Sequence, residues 1–278
     1  MLSLKDIKFL MKNKKARDTQ GLFVAEGEKL VREAPPADVV QVLVSRRFAA
    51  EHPDVESWFD PGAGAPEPQA VDDGRFASLS DTRSPQGIMA VVRQTAFSPE
   101  DALGGVCPLV VVLENLQDPG NAGTILRTAE AAGVDAVFLT EGSVDLYSPK
   151  TTRATMGSIY RVPHFYVPDG RELLRALAAR EIASYAAHLK GSRVYTDCGY
   201  RKGTAFVIGN ESRGVTEETA AACSGRIRIP MMGRVESLNA AMAAGILMYE
   251  ARRQRRTYGE TAGPDIPEPQ SIQEGDFR

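Results

Sequence analysis

The chain has 278 residues, with 33 Lys or Arg and 36 Asp or Glu, so its formal net charge at pH 7 is −3. This length suits about two domains, and a content of 43% apolar and 25% charged residues excludes a disordered, collagenous or coiled-coil chain. No run of about 18 apolar residues and no signal peptide is found, so neither a membrane span nor secretion is expected. Three widely spaced cysteines predict reduced thiols, as in a cytoplasmic protein.

The first part of the chain, residues 1–95, predicts a small α/β unit. Apolar residues between Leu2 and Met11 recur at helical spacing, and a short strand (GLFVAEG) and a helix (EKLVREA) follow. Two further strands are predicted over Val39–Ser45 and Gln86–Val92, with a Pro/Gly loop over Asp60–Gln69 between them. Residues 1–17 carry six basic side chains and one acid, a pattern that fits either a phosphate-binding surface or a solvated helix face.

A linker is expected at residues 96–106, and residues 107–258 then alternate strand and helix more regularly. The predicted strands are PLVVVLEN, DAVFLT, HFYV, IASYAAH, TAFVIGN and RIRIP. Asp118 and Ser148 are predicted N-caps, each followed by a proline at the first helical position. A long helix is predicted from about Ser237 to Arg256. This alternation predicts an open, mostly parallel α/β sheet, and the acidic tail at 259–278 is expected to be disordered.

Several common catalytic signatures are missing from the sequence. There is no GxxxxGK[ST] phosphate loop, no GxGxxG after a strand and no GxSxG turn. The three histidines are isolated and lack the spacing of metal ligands, so no structural metal is expected.

Three polar clusters follow predicted strands, at the sheet edge where open α/β sheets bind ligands. In the first, Asn121 lies in the first turn of a helix and Arg127 follows it. The second is VIGNESRG, whose glycines predict a tight turn. In the third, Ser237 and Asn239 open a helix rich in small residues. Each cluster taken alone also fits an ordinary cap, loop or core helix.

Together and in this order, three strings closely resemble the signature motifs of the SpoU/TrmH branch of the SPOUT RNA methyltransferases: NLQDPGNAGTILRTAEAAG, FVIGNESRG and IRIPMMGRVESLNAAMAAGILMYE. The resemblance covers about residues 108–256. Through FVAEGEKLVREA and SPQGIMAVV, residues 1–95 resemble more weakly the N-terminal substrate-binding domain of many members. The resemblance implies methyl transfer from S-adenosylmethionine to a ribose 2′-hydroxyl, a homodimer, and a trefoil knot in the C-terminal backbone.

The resemblance also implies site residues. The polar catalytic positions are Asn121, Arg127, Glu211, Ser237 and Asn239. The cofactor-binding positions are Gly209, Asn210, Ile229, Met231 and Leu238.

The chemistry needs three reacting atoms held in line and a hydroxyl proton removed. It needs no metal, since the sulfonium already makes the methyl group electrophilic. The family proposal makes Arg127 the base. Because a guanidinium stays protonated, we favour a role in which it grips the phosphate beside the target ribose.

RNA contacts are predicted from Lys12, Lys14, Lys15, Arg17 and Arg153, with single-stranded or looped RNA as the expected target. We favour 23S rRNA over tRNA, because members that act on tRNA often lack a separate N-terminal domain of this kind. The alternatives are a tRNA 2′-O-methyltransferase, a non-catalytic RNA-binding or ribosome-assembly factor, and an unrelated α/β enzyme whose loops match by accident. The intact set of five polar positions argues against the non-catalytic factor.

Overall fold

A computed structural model of the chain describes residues 1–59, 66–189, 191 and 193–255. The predicted tail at 259–278, the last predicted residue of the long helix and part of the Pro/Gly loop lie outside these residues. The described chain forms a four-stranded and a seven-stranded sheet with helices packed around them. No helix in these ranges combines the length and the apolar character needed to cross a bilayer.

The four-stranded sheet is built from the N-terminal part of the chain. Its elements are α1 (Leu4–Lys12), α2 (Lys14–Gln20), β1 (Leu22–Glu26), α3 (Glu28–Arg32), β2 (Val39–Ser45), α4 (Arg46–Glu51), β3 (Pro68–Val71), α5 (Asp73–Leu79), β4 (Ile88–Arg93) and α6 (Pro99–Ala102). The strand order is β1-β4-β2-β3, with β4 antiparallel to both neighbours and β3 parallel to β2. The strands predicted as β1, β2 and β4 are confirmed.

Four N-terminal elements, α2, α4, β3 and α5, and a turn of helix in the linker were not predicted. The side-chain oxygen of Asn13 accepts a hydrogen bond from the Ala16 N–H (3.0 Å) and starts α2 as a helix separate from α1. Strand β3 is short and begins with Pro68 at the sheet edge, and both the edge and the first position of a strand tolerate a residue without an N–H group. The predicted linker contains α6, capped by Ser98.

The seven-stranded sheet is parallel throughout, as predicted. Its elements are β5 (Leu109–Leu113), α7 (Pro119–Ala132), β6 (Ala136–Thr140), α8 (Pro149–Thr155), β7 (His164–Val167), α9 (Gly170–Ala179), β8 (Ala183–Ala187), β9 (Arg193–Val194), β10 (Thr204–Ile208), α10 (Glu217–Ala222), β11 (Gly225–Arg228) and α11 (Ala240–Arg255). The strand order is β7-β6-β5-β10-β8-β11-β9. Every residue of β5, β6 and β10 is buried, because helices cover both faces of a parallel sheet.

The long C-terminal helix starts later than the sequence predicted. Helix α11 begins at Ala240 instead of Ser237. The side-chain oxygen of Asn239 accepts hydrogen bonds from the N–H groups of Ala241 (2.9 Å) and Met242 (3.3 Å). Asn239 therefore acts as the helix cap, and Ser237 lies outside the helix in the loop before it.

The two sheets share one hydrophobic core across the predicted domain boundary. Helix α8 packs against β1, the rings of Phe23 and Tyr147 are 4.9 Å apart, and the Tyr160 hydroxyl donates to the Leu30 carbonyl at 3.0 Å. The N-terminal unit is thus joined to the parallel sheet by buried contacts as well as by the chain.

Candidate active site

The strands β5 and β10 are parallel neighbours, so the loops that follow them meet at the carboxyl edge of the sheet. The meeting point is the Glu211 carboxylate. It accepts hydrogen bonds from the N–H groups of Gln117 (3.1 Å) and Asp118 (2.9 Å) and from the side-chain amide of Asn121 (3.1 Å). Glu211 therefore fixes the β10 loop to the N-terminus of α7, where free N–H groups and the helix dipole favour a negative charge.

These contacts also set the protonation state of Glu211. Partial burial by itself would raise the pKa of the carboxyl. The hydrogen bonds from the Asp118 N–H and the Asn121 side chain outweigh it and leave the pKa below its ordinary value. Glu211 is therefore a carboxylate at neutral pH.

Asn121 links this contact to the third cluster. Its side-chain nitrogen donates to Glu211, while its side-chain oxygen accepts from the Asn239 amide at 2.8 Å. Since Asn239 also caps α11, one chain of hydrogen bonds joins the β10 loop, the start of α7 and the start of α11. The structure thus brings together Glu211, Asn121 and Asn239.

The turn after β10 has a fixed shape. Asn210 and Gly214 pair through both backbone groups (3.1 and 2.8 Å). The side-chain oxygen of Asn210 accepts from the N–H groups of Ser212 and Arg213, and its amide donates to the Asn115 carbonyl at 2.9 Å. A Cβ on Gly209 would lie 2.0 Å from the Gly214 carbonyl carbon, so glycine is required at this position by the close approach of two backbone segments.

Arg127 and Ser237 lie apart from this network. Both are exposed, and neither side chain makes a hydrogen bond or ion pair with another described residue. Arg127 follows Asn121 by six positions, which places it about 240° further around the helix. Within a single chain, α7 therefore points Arg127 away from the side of the helix that carries Asn121.

The predicted cofactor-binding residues line the two loops beside this network. Ile229 packs against the core, and Met231 and Leu238 are half-buried. No backbone N–H or C=O of residues 231–238 hydrogen-bonds to any described residue. The segment thus offers free backbone polar groups and incompletely buried apolar side chains, which fits a ligand with a flat aromatic ring and polar edges, such as the adenosine of S-adenosylmethionine.

Two residues of the first motif, Asn115 and Gln117, also shape the site but were not predicted as site residues. Asn115 adopts a positive φ of 52°, and its carbonyl accepts hydrogen bonds from the side chains of Asn210 and Gln117. Gln117 also donates to the Gly142 carbonyl at 2.6 Å. Their position between a buried strand and a helix cap was the available signal. In the described ranges no group of three His, Cys, Asp or Glu side chains could hold a metal ion.

The structure separates the predicted RNA-contact residues into two groups. Lys12, Lys14 and Lys15 are exposed on α1 and α2. Arg17 differs from the prediction: it is only 4% exposed, its guanidinium pairs with Asp145, and it donates to the Met11 carbonyl at 3.0 Å. The Arg17 guanidinium is therefore neutralised by Asp145 inside the protein and is not available to bind RNA.

Arg153 is also committed to contacts within the chain. Its guanidinium lies 3.1 Å from the buried Glu26 carboxylate and 3.6 Å from Asp81. These two acids compensate its charge, so Arg153 adds little to an RNA-binding surface in this arrangement.

Comparison with known proteins agrees with this arrangement. The profile of the SpoU rRNA Methylase family matches residues 108–249, and that of the MRM3-like substrate binding domain matches residues 3–90. The 23S rRNA (guanosine(2553)-2′-O)-methyltransferase RlmP of Bacillus subtilis is 33% identical over 245 residues, which cover 86% of this chain and 92% of the relative.

Two solved structures are similar over most of the chain. The AdoMet-bound rRNA methyltransferase from Sinorhizobium meliloti is 31% identical, with a TM-score of 0.78 over 91% of this chain and 95% of that one. The SpoU methyltransferase AviRb from Streptomyces viridochromogenes, in complex with AdoMet, is 26% identical, with a TM-score of 0.80 over 91% and 97%. The family profile, the relative and the two structures lead to one assignment: the chain belongs to the SpoU rRNA methylase family.

Proposed function

We propose that the protein transfers a methyl group from S-adenosylmethionine to a ribose 2′-hydroxyl in 23S rRNA. The observation that carries the proposal is the Glu211–Asn121–Asn239 network, which fixes three loops at the carboxyl edge of a parallel sheet. The family and the named activity of RlmP support the reaction and the choice of rRNA. Because rRNA is a cytoplasmic substrate in bacteria, the proposal also places the protein in the cytoplasm.

In this proposal the two loops hold the methyl donor. Gly209 and Asn210 fix the turn on one side, and Ile229, Met231 and Leu238 provide the apolar surface on the other. The sulfonium of the bound donor supplies an electrophilic methyl group. The protein then has to hold the ribose oxygen in line with the methyl group and keep water out.

The polar residues divide this work. Asn121 and Asn239 orient each other and the ribose, and Ser237, two residues before Asn239 in the chain, provides an exposed hydroxyl. Arg127 grips the phosphate next to the target ribose and polarises the hydroxyl. Glu211 does not touch the reacting atoms. It is a positioning residue that fixes the loop carrying the donor to the start of α7.

The site is completed by a second copy of the chain. The Arg127 side chain is exposed and has no partner among the described residues. On α11, Met242 (60% exposed) and Tyr249 (51% exposed) lie on the side of the helix opposite its buried alanines. A homodimer through α11 covers these apolar side chains and brings Arg127 of one subunit to the loops of the other. The buried Ala240, Ala241 and Ala244 pack inside the subunit, so the dimer contact is made by the other side of the helix.

The C-terminal backbone is proposed to form the trefoil knot that the family resemblance implies. Strand β11 is separated from β10 by β8, yet α11 packs on β5, β10 and α7. Residues 229–239 must therefore return past β8 before α11 begins. A return that passes through the loop after β10 produces the knot.

RNA binding is assigned to the N-terminal unit, and the exposed Lys12, Lys14 and Lys15 support it. We keep the division into residues 1–95 for this unit, 96–106 for the linker and 107–258 for the methyltransferase unit.

The test is to incubate the full chain with tritiated S-adenosylmethionine and unmodified total RNA, which contains both rRNA and tRNA, and to map 2′-O-methyl groups by mass spectrometry. We expect stoichiometric labelling of one nucleotide of 23S rRNA and none with the Asn121→Ala variant. Labelling of tRNA alone would show that the substrate is tRNA and not 23S rRNA. Absence of both labelling and donor binding in calorimetry would overturn the proposal in favour of a non-catalytic RNA-binding factor.

A further inference from the structure

One large apolar side chain of α1 points away from the core. Ile7, Leu10 and Met11 of this helix are buried, whereas Phe9 is 55% exposed. Phe9 makes no ring contact with another aromatic residue in the described parts of the chain. Single exposed apolar residues are common on protein surfaces, so the ring by itself assigns no function.

Two lysines flank Phe9 on the surface of the helix. Lys5 and Lys12 stand four residues before and three residues after it, and these are the positions that share its face. Both lysines are exposed, and within the ranges that the structure describes neither forms an ion pair or hydrogen bond. The only acid of α1, Asp6, accepts hydrogen bonds from the N–H and hydroxyl of Ser3 and so serves the helix cap.

We propose that Phe9 is a stacking platform for an unpaired base of the RNA substrate, with Lys5 and Lys12 contacting phosphates on either side of it. An aromatic ring flanked by uncompensated cations is the arrangement that binds single-stranded nucleic acid, because every base has a face that can stack while the backbone is anionic throughout. The inference rests on the proposed RNA substrate and adds a residue-level contact to it.

The same surface fits other partners less well. The bases of a paired RNA helix are stacked on each other and cannot lie on a phenyl ring. Lysines are depleted in the centres of protein–protein interfaces, where their charge would have to be desolvated. The chemistry of this face therefore favours a single-stranded or looped RNA segment.

The test measures binding of the full chain to a fluorescein-labelled, non-self-complementary RNA strand of about 12 nucleotides and to the same strand annealed to its complement. Phe9→Leu keeps an apolar side chain but removes the aromatic face. We expect it to weaken binding of the single strand by about tenfold and to leave duplex binding unchanged. Phe9→Trp should restore single-strand affinity, and Arg175→Ala, an exposed cation on α9, is the control that should change neither.

Two further readouts separate stacking from charge. In the Phe9→Trp variant, a base that stacks on the new tryptophan should quench its fluorescence when the single strand is added. The wild type, whose only tryptophan is Trp58, gives the background signal. The double variant Lys5→Ala/Lys12→Ala should lower the slope of log affinity against log salt by about 1.4, because each phosphate contact of a single strand contributes about 0.7. Phe9→Leu should leave this slope unchanged.

Unchanged affinity of Phe9→Leu together with no quenching of Phe9→Trp would overturn the inference. A change in sedimentation of Phe9→Leu with unchanged RNA affinity would overturn it as well and identify the face as a protein contact. These readouts need no methyl transfer. A chain that stacks RNA on Phe9 but methylates nothing therefore refutes the proposed function alone, and an active chain whose Phe9→Leu variant binds normally refutes this inference alone.

Discussion

The contacts of Glu211 fit a positioning role better than a role in proton transfer. Its carboxylate accepts two backbone hydrogen bonds at the start of α7 and one from Asn121, and its pKa is lowered in consequence, although burial opposes the shift. A carboxylate with a lowered pKa is a weak base, so we propose that its contribution is to fix the loop after β10 to the start of α7. Asn121 and Asn239 depend on it for their orientation.

Replacing this acceptor should therefore reduce catalysis through position. Glu211→Gln keeps the shape but puts a donor amide where an acceptor is needed, and hydrogen bonds to a charged group are worth about 1.5–3 kcal/mol. We expect kcat/KM for S-adenosylmethionine to fall by about 10- to 100-fold. Glu236→Gln, an exposed carboxylate in the nearby loop, is the matched control. Equal kinetics of the two variants would contradict the role.

Glu211 should also leave a signature in the pH dependence of stability. Because its pKa is lower in the folded than in the unfolded state, its ionised form stabilises the fold above the unfolded pKa. This stabilisation is lost as the pH falls through the folded pKa. Urea unfolding should show a larger difference in free energy between wild type and Glu211→Gln at pH 7 than at pH 3. A difference that stays constant or grows on acidification would rule this linkage out.

Helix α7 performs two tasks along its length. Its N-terminus receives Glu211, and its middle packs closely against α8. The close packing depends on Gly123, where a Cβ would lie 2.4 Å from the Ala154 Cβ and 2.8 Å from its carbonyl carbon. In the neighbouring α11, a Cβ on Gly245 would meet only the Thr128 methyl group at 3.7 Å, an ordinary contact.

These two glycines form a matched pair for mutation. Gly123→Ala forces α7 and α8 apart and should lower the free energy of unfolding by about 1–3 kcal/mol. Within one subunit Gly245→Ala fills available space in a helix interior and should be neutral or stabilising by up to about 1 kcal/mol. Because Gly245 shares the proposed dimer face with Met242 and Tyr249, both glycine variants are compared in the monomeric Tyr249→Glu background. Urea unfolding at one protein concentration measures both. If Gly123→Ala were as stable as Gly245→Ala, the α7–α8 contact would not be tight in solution.

At the scale of the whole molecule, two features fit a dimer. The active-site network in one chain lacks contact with Arg127, and α11 leaves Met242 and Tyr249 exposed. The N-terminal unit is fixed to α8 and its flanking loops through a shared core and the buried Arg17–Asp145 pair. A dimer through α11 would thus position two RNA-binding units relative to two sites without further contacts.

A charge on the exposed side of α11 should separate the subunits. Tyr249→Glu places an unpaired carboxylate in the proposed interface, where its desolvation is unfavourable, and we expect a mass near 30 kDa in sedimentation equilibrium with loss of methyl transfer. Val106→Glu, at a 99% exposed site outside α11 and off the face of Met242 and Tyr249, should remain dimeric and active. A monomeric wild type with full activity would refute the dimer.

Mixing two inactive variants tests whether Arg127 acts across the interface. Arg127→Ala and Ser237→Ala each disable both sites of their own homodimers. In a heterodimer, action across the interface leaves one intact site, so an equal mixture should recover about a quarter of wild-type activity in a two-fold symmetric dimer. If Arg127 serves its own subunit, the mixture should remain inactive. Single-turnover methylation of the mixed proteins gives the measurement.

The sequence by itself determined most strands of the parallel sheet, two helix caps and the family. Apolar runs marked the buried strands of the parallel sheet, and Asp118 and Ser148 were identified as caps that accept hydrogen bonds from Asn121 and Thr151. Three motifs in a fixed order indicated the family. These signals are carried by residues a few positions apart, because hydrogen bonds within helices and the alternation of strands are local in the chain.

The tertiary structure decided which distant residues meet. Glu211 lies 90 residues from Asn121, and Asn239 lies 118 residues from it. In the sequence, Arg17 cannot be distinguished from the basic residues around it. In the structure it is buried, and its charge is paired with Asp145, which lies 128 residues away in the chain. The order of strands in the sheet decides which of these groups come together. That order depends on packing across the whole core, so it cannot be inferred from a short stretch of sequence.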